Sequence, residues 1–120
     1  MTESNLDISR ASKAIRDSRF VEALSMLESN LAKDPDHLES LYFAAVCSRY
    51  LKNYKDSQKY LENLLTKAPD MGRAYQELGH LSKAVGNEEN AASHYRQACE
   101  LNPALISSWK SLFNYFTKMK

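Results

Sequence analysis

The chain has 120 residues, enough for one domain, and 43% of them are apolar, so a core can form. A formal net charge of +1 argues against a general nucleic-acid-binding protein. No run of 18 apolar residues occurs, so no membrane span is expected, and the start MTESNLDISR lacks the basic and apolar regions of a secretory signal. Two isolated cysteines, Cys47 and Cys99, are typical of buried thiols in a reducing compartment. We therefore expect a cytoplasmic protein.

Seven helices are predicted in chain order from the period of the apolar residues and the turn residues between them. They cover residues 5–17, 20–33, 38–51, 54–67, 71–85, 88–101 and 104–118. Asp36, Asp70 and Asn87 stand at or just before three of the helix starts, where their side chains can cap exposed backbone N–H groups. The sequence thus predicts an all-α fold.

Proline divides these helices at a regular interval. The only three prolines, Pro35, Pro69 and Pro103, are equally spaced along the chain. Because proline breaks helices, this spacing indicates a repeat of two helices that closes at each proline. The repeat units lie at about 4–37, 38–71 and 72–105, and residues 106–120 form the first helix of a fourth unit. We predict that residues 1–120 form a single domain.

The third unit, GRAYQELGHLSKAVGNEENAASHYRQACELNP, shows the pattern most clearly. Its first helix has a large residue before a Leu-Gly pair, its second has a small–aromatic–small series, and a Gly-Asn turn separates them. These residues are Tyr75, Leu78, Gly79, Gly86, Asn87, Ala91, Tyr95, Ala98 and Pro103. The unit resembles the tetratricopeptide repeat family. That resemblance implies a right-handed α-solenoid of antiparallel helices that acts as a protein–protein interaction module or scaffold.

The other units follow the pattern more loosely. The second keeps Leu41, Ala44, Ala45, Ser57, Leu61, Leu64 and Pro69, and the first keeps Ala11, Ala23, Leu27 and Pro35. In the first unit Asn30 replaces a small residue, which agrees with the atypical composition of terminal repeats. Small residues are predicted where paired helices approach most closely: Gly79 and Ala45 on first helices, and Ala91, Ser57 and Ala23 on second helices.

No pattern in the sequence indicates catalysis. It contains no HExxH, GxSxG, CxxC or Gly-rich phosphate loop. His37, His80 and His94 lie on different helices or caps, and none has a ligand partner at i+4. We therefore predict that the chain is not an enzyme and holds neither cofactor nor metal, with His94 at the surface or edge. Cys47 and Cys99 are predicted to pack in the core rather than react.

The first helix of each repeat lines an inner groove in this family, so the resemblance places partner binding there. The predicted partner-binding residues are Tyr42, Val46, Arg49, Tyr50, Arg73, Gln76, His80 and Lys83. The same reasoning adds Asn5, Ile8, Ser12, Ile15, Glu39, Ser107 and Lys110 to the groove. Independently, the polar residues from Arg73 to Lys83 recur at i, i+3, i+7 and i+10, which predicts one polar stripe facing water or a ligand.

Apolar and basic residues dominate this predicted groove. They indicate a protein or peptide partner with an apolar anchor and an acidic flank, and no nucleic acid or membrane partner. A second interpretation assigns Ile8 and Ile15 to packing against helix two, and Tyr50 to covering the edge of the stack. One subset of the family grips chaperone carboxylates with Lys and Asn. The matching positions here hold Ile8, Ser12, Phe43, Arg73 and Glu77, of which only Arg73 fits, so we do not expect that mode.

The run RAYQELGHLSKAVGNEENAASHYRQACELNPALISSWKSL is also similar to the N-terminal tetratricopeptide region of bacterial sulfotransferase-like proteins. None of the nucleotide-binding motifs of the sulfotransferase occurs in this chain. That resemblance implies an alternative function, an accessory domain of a larger enzyme that continues beyond Lys120.

The last predicted helix is rich in aromatic residues. Its apolar residues are Leu105, Trp109, Leu112, Phe113, Phe116 and Met119, with Tyr115 at the edge of the stripe. One side can pack on the preceding helix, and the other would be left as an exposed apolar patch. Either the natural chain continues and covers this patch, which we favour, or two copies pair through it. In a third interpretation the helix sits deep in its groove.

Overall fold

The fold is all α-helical over the part of the chain that the structure describes. The computed structural model describes residues 3–118, and the side chains of residues 8–105 and 109–118. Within these residues there are seven helices and no strand. They are α1 Glu3–Arg16, α2 Phe20–Lys33, α3 Leu38–Tyr50, α4 Tyr54–Lys67, α5 Gly72–Ala84, α6 Glu88–Leu101 and α7 Ile106–Lys118. Each predicted boundary lies within two residues of the observed one, so the all-α prediction is confirmed.

The start of α7 shows the largest shift among the later boundaries. The helix begins at Ile106 rather than at residue 104 because the chain first makes a turn behind Pro103. Asn102 organises this turn: its side-chain Oδ1 accepts from the Ala104 N–H at 3.2 Å, and its carbonyl accepts from the Leu105 N–H at 3.1 Å. A side-chain turn of this kind competes with helix for the same backbone groups.

Only one of the three predicted cap residues is itself the N-cap. Asn87 precedes α6, and its side-chain oxygen accepts a hydrogen bond from the Asn90 N–H at 3.1 Å. Asp36 and Asp70 lie one residue before the N-cap positions, which are His37 and Met71. These two helices begin without a side-chain cap hydrogen bond, so packing rather than capping fixes their starts.

The turns inside the three helix pairs share one backbone conformation. Ser18, Lys52 and Gly86 each have a positive φ, of 61°, 65° and 84° respectively, and they occupy the same position in successive repeats. A residue in this left-handed conformation ends a helix and reverses the chain. Glycine adopts it without strain, whereas Ser18 and Lys52 adopt it at a cost. The repeat therefore keeps its turn geometry even where the sequence gives no glycine signal.

The helices form two compact parts, which are described separately. The N-terminal part, up to Lys67, contains α1–α4. Its core contains one large residue, Leu27, among small ones, namely Ala11, Ala14, Ala23, Ala44 and Cys47. Ile8 and Ile15 are partly buried against this core, and their assignment to the groove or to packing against helix two stays a prediction. The predicted single domain over residues 1–120 stays a prediction.

The close approach of α3 and α4 occurs at the predicted small residues. Ser57 is fully buried, and its hydroxyl donates a hydrogen bond to the Ala45 carbonyl at 2.8 Å. Asn30 of α2 is also buried, and its amide donates to the Ser40 hydroxyl at 3.3 Å. Ser40 shares a second hydrogen bond with His37 Nδ1 at 2.7 Å. The departure from the repeat pattern at Asn30 thus gives a buried polar contact between α2 and α3.

The C-terminal part, from Ala68, contains α5–α7. Tyr95 of α6 is buried against α5 and also belongs to a cluster with Ala91, Ala92 and Leu112, which joins α6 to α7. A Cβ atom placed on Gly79 would lie only 2.5 Å from Cε1 of Tyr95. Glycine is therefore required at this position because the ring of Tyr95 occupies the space of any larger side chain.

Candidate binding surfaces of the two parts

A shallow hollow lies between α1 and α3 in the N-terminal part. It is lined by Ile8, Ser9, Ser12, Arg16, Glu39 and Phe43. Ile8 and Phe43 supply an apolar base, while Arg16 and Glu39 supply one charge of each sign. The Arg16 guanidinium donates to the Ser12 hydroxyl at 3.2 Å, a contact that spans one turn of α1. The hollow has the mixed apolar and charged lining that an extended peptide can use.

The predicted residues of α3 differ in how much surface they offer. Val46 is buried, and Tyr42 is half-buried with its ring edge-on to that of Phe43, at a centroid distance of 5.3 Å. Arg49 is half-buried, and its guanidinium carbon lies 4.5 Å from the centre of the Tyr50 ring. The partner-binding role of these residues stays a prediction, and of the four only Tyr50 is largely exposed.

Tyr50 has a structural contact on its other face. Its ring stacks on that of Phe20 with a centroid distance of 4.5 Å and an angle of 4° between the planes. Half of Tyr50, 52%, remains exposed. The aromatic stack joins the end of α3 to the start of α2, so Tyr50 covers the edge of these helices, as the second interpretation states. Its exposed half extends into solvent beside Arg49.

In the C-terminal part, the predicted polar stripe of α5 is exposed at both ends and engaged in the middle. Arg73 and Lys83 are exposed, whereas Gln76 and His80 are half-buried. His80 Nδ1 is hydrogen-bonded to the Tyr95 hydroxyl at 2.7 Å, and the two rings meet edge to face at 5.4 Å. His80 therefore also connects α5 to α6, a role that its place in the stripe did not indicate.

The match to the carboxylate-binding subset places Glu77 at a position that lines the groove. It is instead only 3% exposed, on the buried side of α5, and its side chain has an interaction partner. A buried carboxyl group has little contact with water, so its contacts within the protein must stabilise it. The expected position of Glu77 on the surface is therefore wrong, because the direction of a side chain depends on packing that a sequence register does not contain.

A second pocket lies where α5, α6 and α7 meet. Its rim is polar, with Lys83, Glu88, Ser111, Asn114 and Lys118, and its base is formed by Ala91, Ala92, Tyr95 and Tyr115. Lys118 Nζ and a Glu88 oxygen are 3.4 Å apart across the rim. Of these residues, the predicted groove contained only Lys83. The repeat spacing also indicates Asn114, which occupies in α7 the position that His80 has in α5.

The remaining groove residues fall on the same helices. Lys110 is exposed on α7, and Ser12 is half-buried on α1. The predicted groove residues Asn5 and Ser107 lie outside the described side chains.

Burial determines the state of three other titratable groups. The half-buried imidazole of His94 has a pKa below its usual value because burial disfavours the charged ring. Burial and the neighbouring Glu100 raise the pKa of the Cys99 thiol, which disfavours the reactive thiolate. Burial, with Glu28 and Asp56 nearby, raises the pKa of Tyr60. The predicted burial of Cys47 and Cys99 is confirmed.

No group of three His, Cys, Asp or Glu side chains within the described residues is arranged to hold a metal ion. None of the described helices has the length and apolar character needed to span a membrane.

The exposed aromatic residues of α7 confirm that its outer face is not covered by the helices described. Trp109, Phe113 and Phe116 are 50%, 72% and 43% exposed, respectively, while Leu112 is buried toward α6. The interpretation in which α7 sits deep in its groove is therefore wrong. Met119, the last member of the predicted stripe, lies outside the described residues.

Comparison with known families agrees with this arrangement of helices. A family model described as tetratricopeptide repeat matches residues 14–79, which is more than half of the chain, and a second with the same description matches residues 72–105. The chain belongs to the tetratricopeptide repeat family. No curated protein matches the sequence.

Solved structures with the same fold confirm the predicted tetratricopeptide architecture. The first tetratricopeptide domain of Spaghetti (RPAP3), bound to the HSP90 peptide SRMEEVD, has a TM-score of 0.85 at 16% identity and covers 98% of this chain and 93% of that one. The Sgt2 domain from Aspergillus fumigatus has a TM-score of 0.87 at 16% identity, with 99% and 80% covered. The Yersinia enterocolitica type III secretion translocator chaperone SycD has a TM-score of 0.86 at 13% identity, with 98% and 94% covered.

These similarities establish the fold of this tetratricopeptide protein. The resemblance to the N-terminal region of sulfotransferase-like proteins receives no support from the matches described above. The predicted roles of individual groove residues stay predictions.

Proposed function

We propose that this tetratricopeptide protein is a protein–protein interaction module that binds a peptide or an extended partner segment on its first helices. The observation that carries the proposal is the basic side of α5. Arg73 and Lys83 are exposed at its two ends, and Gln76 and His80 between them are half-buried. The pocket between α5, α6 and α7 begins at Lys83 and has an apolar base. Such a surface suits a partner segment with an apolar anchor and an acidic flank.

The N-terminal part offers a second element of the same chemistry. The hollow between α1 and α3 has Ile8 and Phe43 at its base and Arg16 at its rim. Tyr50 and Arg49 add an exposed aromatic surface with a cation beside it at the end of α3. These features support recognition of apolar side chains beside acidic ones. The buried thiols Cys47 and Cys99 support a reducing compartment such as the cytoplasm.

The RPAP3 domain binds an HSP90 peptide, and this supports a peptide as the class of ligand for the present chain. It does not support the HSP90 peptide itself as the ligand. Of the positions that match the carboxylate-binding residues of that subset, only Arg73 is basic, and Ile8 and Phe43 are apolar. An apolar residue cannot donate a hydrogen bond to a carboxylate. We infer that this chain prefers an internal acidic segment with an apolar anchor over a free C-terminal carboxylate.

Fluorescence anisotropy with labelled peptides tests this proposal. The probe is a peptide with a central Leu or Phe and flanking Glu residues, and the peptide SRMEEVD is the comparison. Replacing Arg73 or Lys83 by Ala should weaken binding of the probe several-fold, with a larger effect at low salt, and leave the melting temperature unchanged. SRMEEVD should bind weakly or not at all.

Lys59→Ala is the matched control, because Lys59 is also an exposed cation but lies on α4, a second helix of a repeat. It should leave binding unchanged. If Lys59→Ala weakens binding as much as Arg73→Ala does, the attraction is general and the α5 surface is not the site. Tighter binding of SRMEEVD than of the internal acidic probe would contradict the inferred preference.

A further inference from the structure

The outer face of α7 carries three exposed aromatic residues in one stripe. Trp109, Phe113 and Phe116 recur at i, i+4 and i+7, so they lie on the same side of the helix. We call them the α7 aromatic face. Their exposed area amounts to roughly 300–400 Å², given that an aromatic side chain presents about 150–250 Å² when fully exposed. A contiguous apolar patch of this kind marks a binding surface more often than a solvated one.

The repeat spacing shows what kind of helix can cover this face. Phe113 occupies the repeat position that Ala11, Ala45 and Gly79 hold in the three preceding units. Ala11 and Ala45 are fully buried, and at Gly79 even a Cβ atom would lie 2.5 Å from the ring of Tyr95. The helices that cover these small residues carry Leu27, Leu61 and Tyr95 at the crossing. A helix that covers Phe113 therefore needs a smaller residue at the crossing than α2, α4 and α6 have.

Contacts within the C-terminal part orient the aromatic rings for binding. The Trp109 indole N–H donates to the Pro103 carbonyl at 2.9 Å, so the ring needs no polar group from a partner. The Arg96 guanidinium lies 5.6 Å from the centre of the Phe116 ring. A shallow hollow is bounded by Trp109, Lys110, Phe113 and Asn114. It offers a place for one apolar side chain of a partner, flanked by a lysine.

The charge around the α7 aromatic face is positive. The helix sequence ISSWKSLFNYFTK contains two lysines and no acidic residue. Lys110 borders the hollow on one side, and Arg96 of α6 borders Phe116 on the other. A partner that places acidic residues at both edges of its apolar stripe would complement this pattern.

Pairing of two copies through this face fits less well. Lys118 already lies 3.4 Å from Glu88, but an isologous pair would bring Lys110 and Arg96 of one copy toward the same cations of the other, with no acidic residue on α7 to offset them. The three aromatic residues also offer far less than the roughly 800 Å² per partner that is typical of stable interfaces. A single amphipathic helix matches both the size and the charge of the surface.

We propose that the α7 aromatic face is a second interaction surface, which adjoins the pocket between α5, α6 and α7 at Asn114, and that it binds an acidic amphipathic helix. Apolar residues of the partner at i, i+3 or i+4, and i+7 contact Trp109, Phe113 and Phe116. Acidic residues beside them pair with Lys110 and Arg96.

The test uses the 120-residue chain and its single tryptophan as an internal probe, since Trp109 lies in the proposed site. The ligand is a designed helical peptide of about 18 residues, long enough to be helical in water, with Leu at the apolar positions and Glu beside them. A matched peptide carries Lys in place of Glu. The Glu peptide should shift the Trp109 emission to shorter wavelength and saturate, and the Lys peptide should bind at least about tenfold more weakly.

Two variants locate the site, and far-UV circular dichroism checks that each is folded. Phe113→Ala should weaken binding of the Glu peptide about tenfold or more. Lys110→Glu, which leaves the aromatic residues intact, should weaken the Glu peptide and strengthen the Lys peptide several-fold. Val85→Ala is the control, because Val85 is an exposed apolar residue of the same part, 56% exposed at the end of α5, and it should change nothing.

Five results would overturn the proposal. The two peptides could bind equally, or neither could shift the Trp109 emission. Light scattering could show a dimer of the chain that becomes monomeric in Phe113→Glu, in which case a second copy is the occupant. Vesicles containing phosphatidylserine could shift the emission where the Glu peptide does not, which would assign the surface to a membrane. A peptide-induced shift that persists unchanged in Phe113→Ala would place the binding elsewhere.

Discussion

The helix pairs α3–α4 and α5–α6 build the same repeat with different side chains. Leu61 and Tyr95 occupy the same repeat position, and so do Ala45 and Gly79 opposite them. In α5–α6, which has the larger residue on its second helix, the facing residue on the first helix is glycine, because the Tyr95 ring fills the space of a side chain there. The repeat therefore fixes the combined volume at the crossing and not the identity of either residue.

The hydrogen bonds at the two crossings are also made by different side chains. In α3–α4 the Ser57 hydroxyl donates to the backbone carbonyl of Ala45, at 2.8 Å. In α5–α6 the position of Ser57 is held by Ala91, and the hydrogen bond between the helices joins the Tyr95 hydroxyl to His80 at 2.7 Å. Each pair thus has a hydrogen bond between its helices that is made from a different repeat position, so a position-by-position comparison of the repeats underestimates how similar the two pairs are.

Replacing Gly79 by the alanine that the first pair has at this position should have the largest effect on the free energy of unfolding. Ala is better than Gly in a helix interior by about 1 kcal/mol, so helix propensity alone would make Gly79→Ala stabilising. Because the new Cβ would lie 2.5 Å from the Tyr95 ring, we expect net destabilisation instead, and a loss of about 1–3 kcal/mol or more for Gly79→Leu. Urea unfolding measures both.

The double variant Gly79→Ala/Tyr95→Leu supplies the control, since it reproduces the combination found in α3–α4. The alanine should cost much less in the Tyr95→Leu background than in the native one, which gives a coupling free energy between the two positions. A higher melting temperature for Gly79→Ala alone would show that the ring of Tyr95 does not fill this crossing.

A substitution in the turn of the first pair should have an effect of intermediate size, and it should increase the free energy of unfolding. Lys52 has a φ of 65° at the position where the second pair has Gly86, with a φ of 84°. Lys52→Gly should therefore stabilise the protein by about 0.5–1 kcal/mol, since the strain of a left-handed side chain outweighs the extra freedom of the unfolded chain. Thermal and urea unfolding measure the change.

Gly86→Ala is the reciprocal variant and should destabilise by a similar amount, although a Cβ atom at Gly86 would meet no other atom within 4 Å. Its cost therefore reports the backbone conformation alone. Ser18→Gly extends the comparison to the first turn, where φ is 61°. Equal stability of Lys52→Gly and the native chain would mean that the turn carries no strain.

The smallest expected effect is a dependence on pH that arises from His94 of the second pair. His94 and Tyr60 share one repeat position, and burial favours the neutral form of each, which lowers the pKa of His94 and raises that of Tyr60. Because the folded pKa of His94 lies below the unfolded value of 6.5, the unfolded chain binds the proton more readily. Its contribution to stability is present above pH 6.5 and is lost as the pH falls through the folded pKa.

Replacing His94 by Tyr, the residue found at this position in α4, should make the urea midpoint less sensitive to acid. Measurements at pH 7.5 and 5.5 compare the two chains, and His94→Gln serves as a neutral control that keeps a polar side chain. His37 and His80 are present in all of these chains, so only the difference between the chains reports His94. An identical loss of stability on acidification in all three chains would assign the effect to other groups.

Local features of the sequence determined the helices of this protein. The equal spacing of the prolines and the period of apolar residues place all seven helices within two residues, since both signals arise from the backbone hydrogen-bonding pattern of a helix and its interruption. Gly79 was identified as a close contact in the same way, because a small residue at a fixed repeat position indicates where two helices cross.

Tertiary structure alone decided which side chains of each helix remain available to a partner. The repeat pattern assigns Tyr50, His80 and Glu77 to nearby positions on first helices, yet one stacks on Phe20, one is bonded to Tyr95, and one is buried. The aromatic stripe of α7 was visible in the sequence, but only the packing shows that Phe113 stays exposed while Leu112 does not. Burial depends on neighbours from distant positions in the chain, and a local pattern contains no information about how much of a surface they cover.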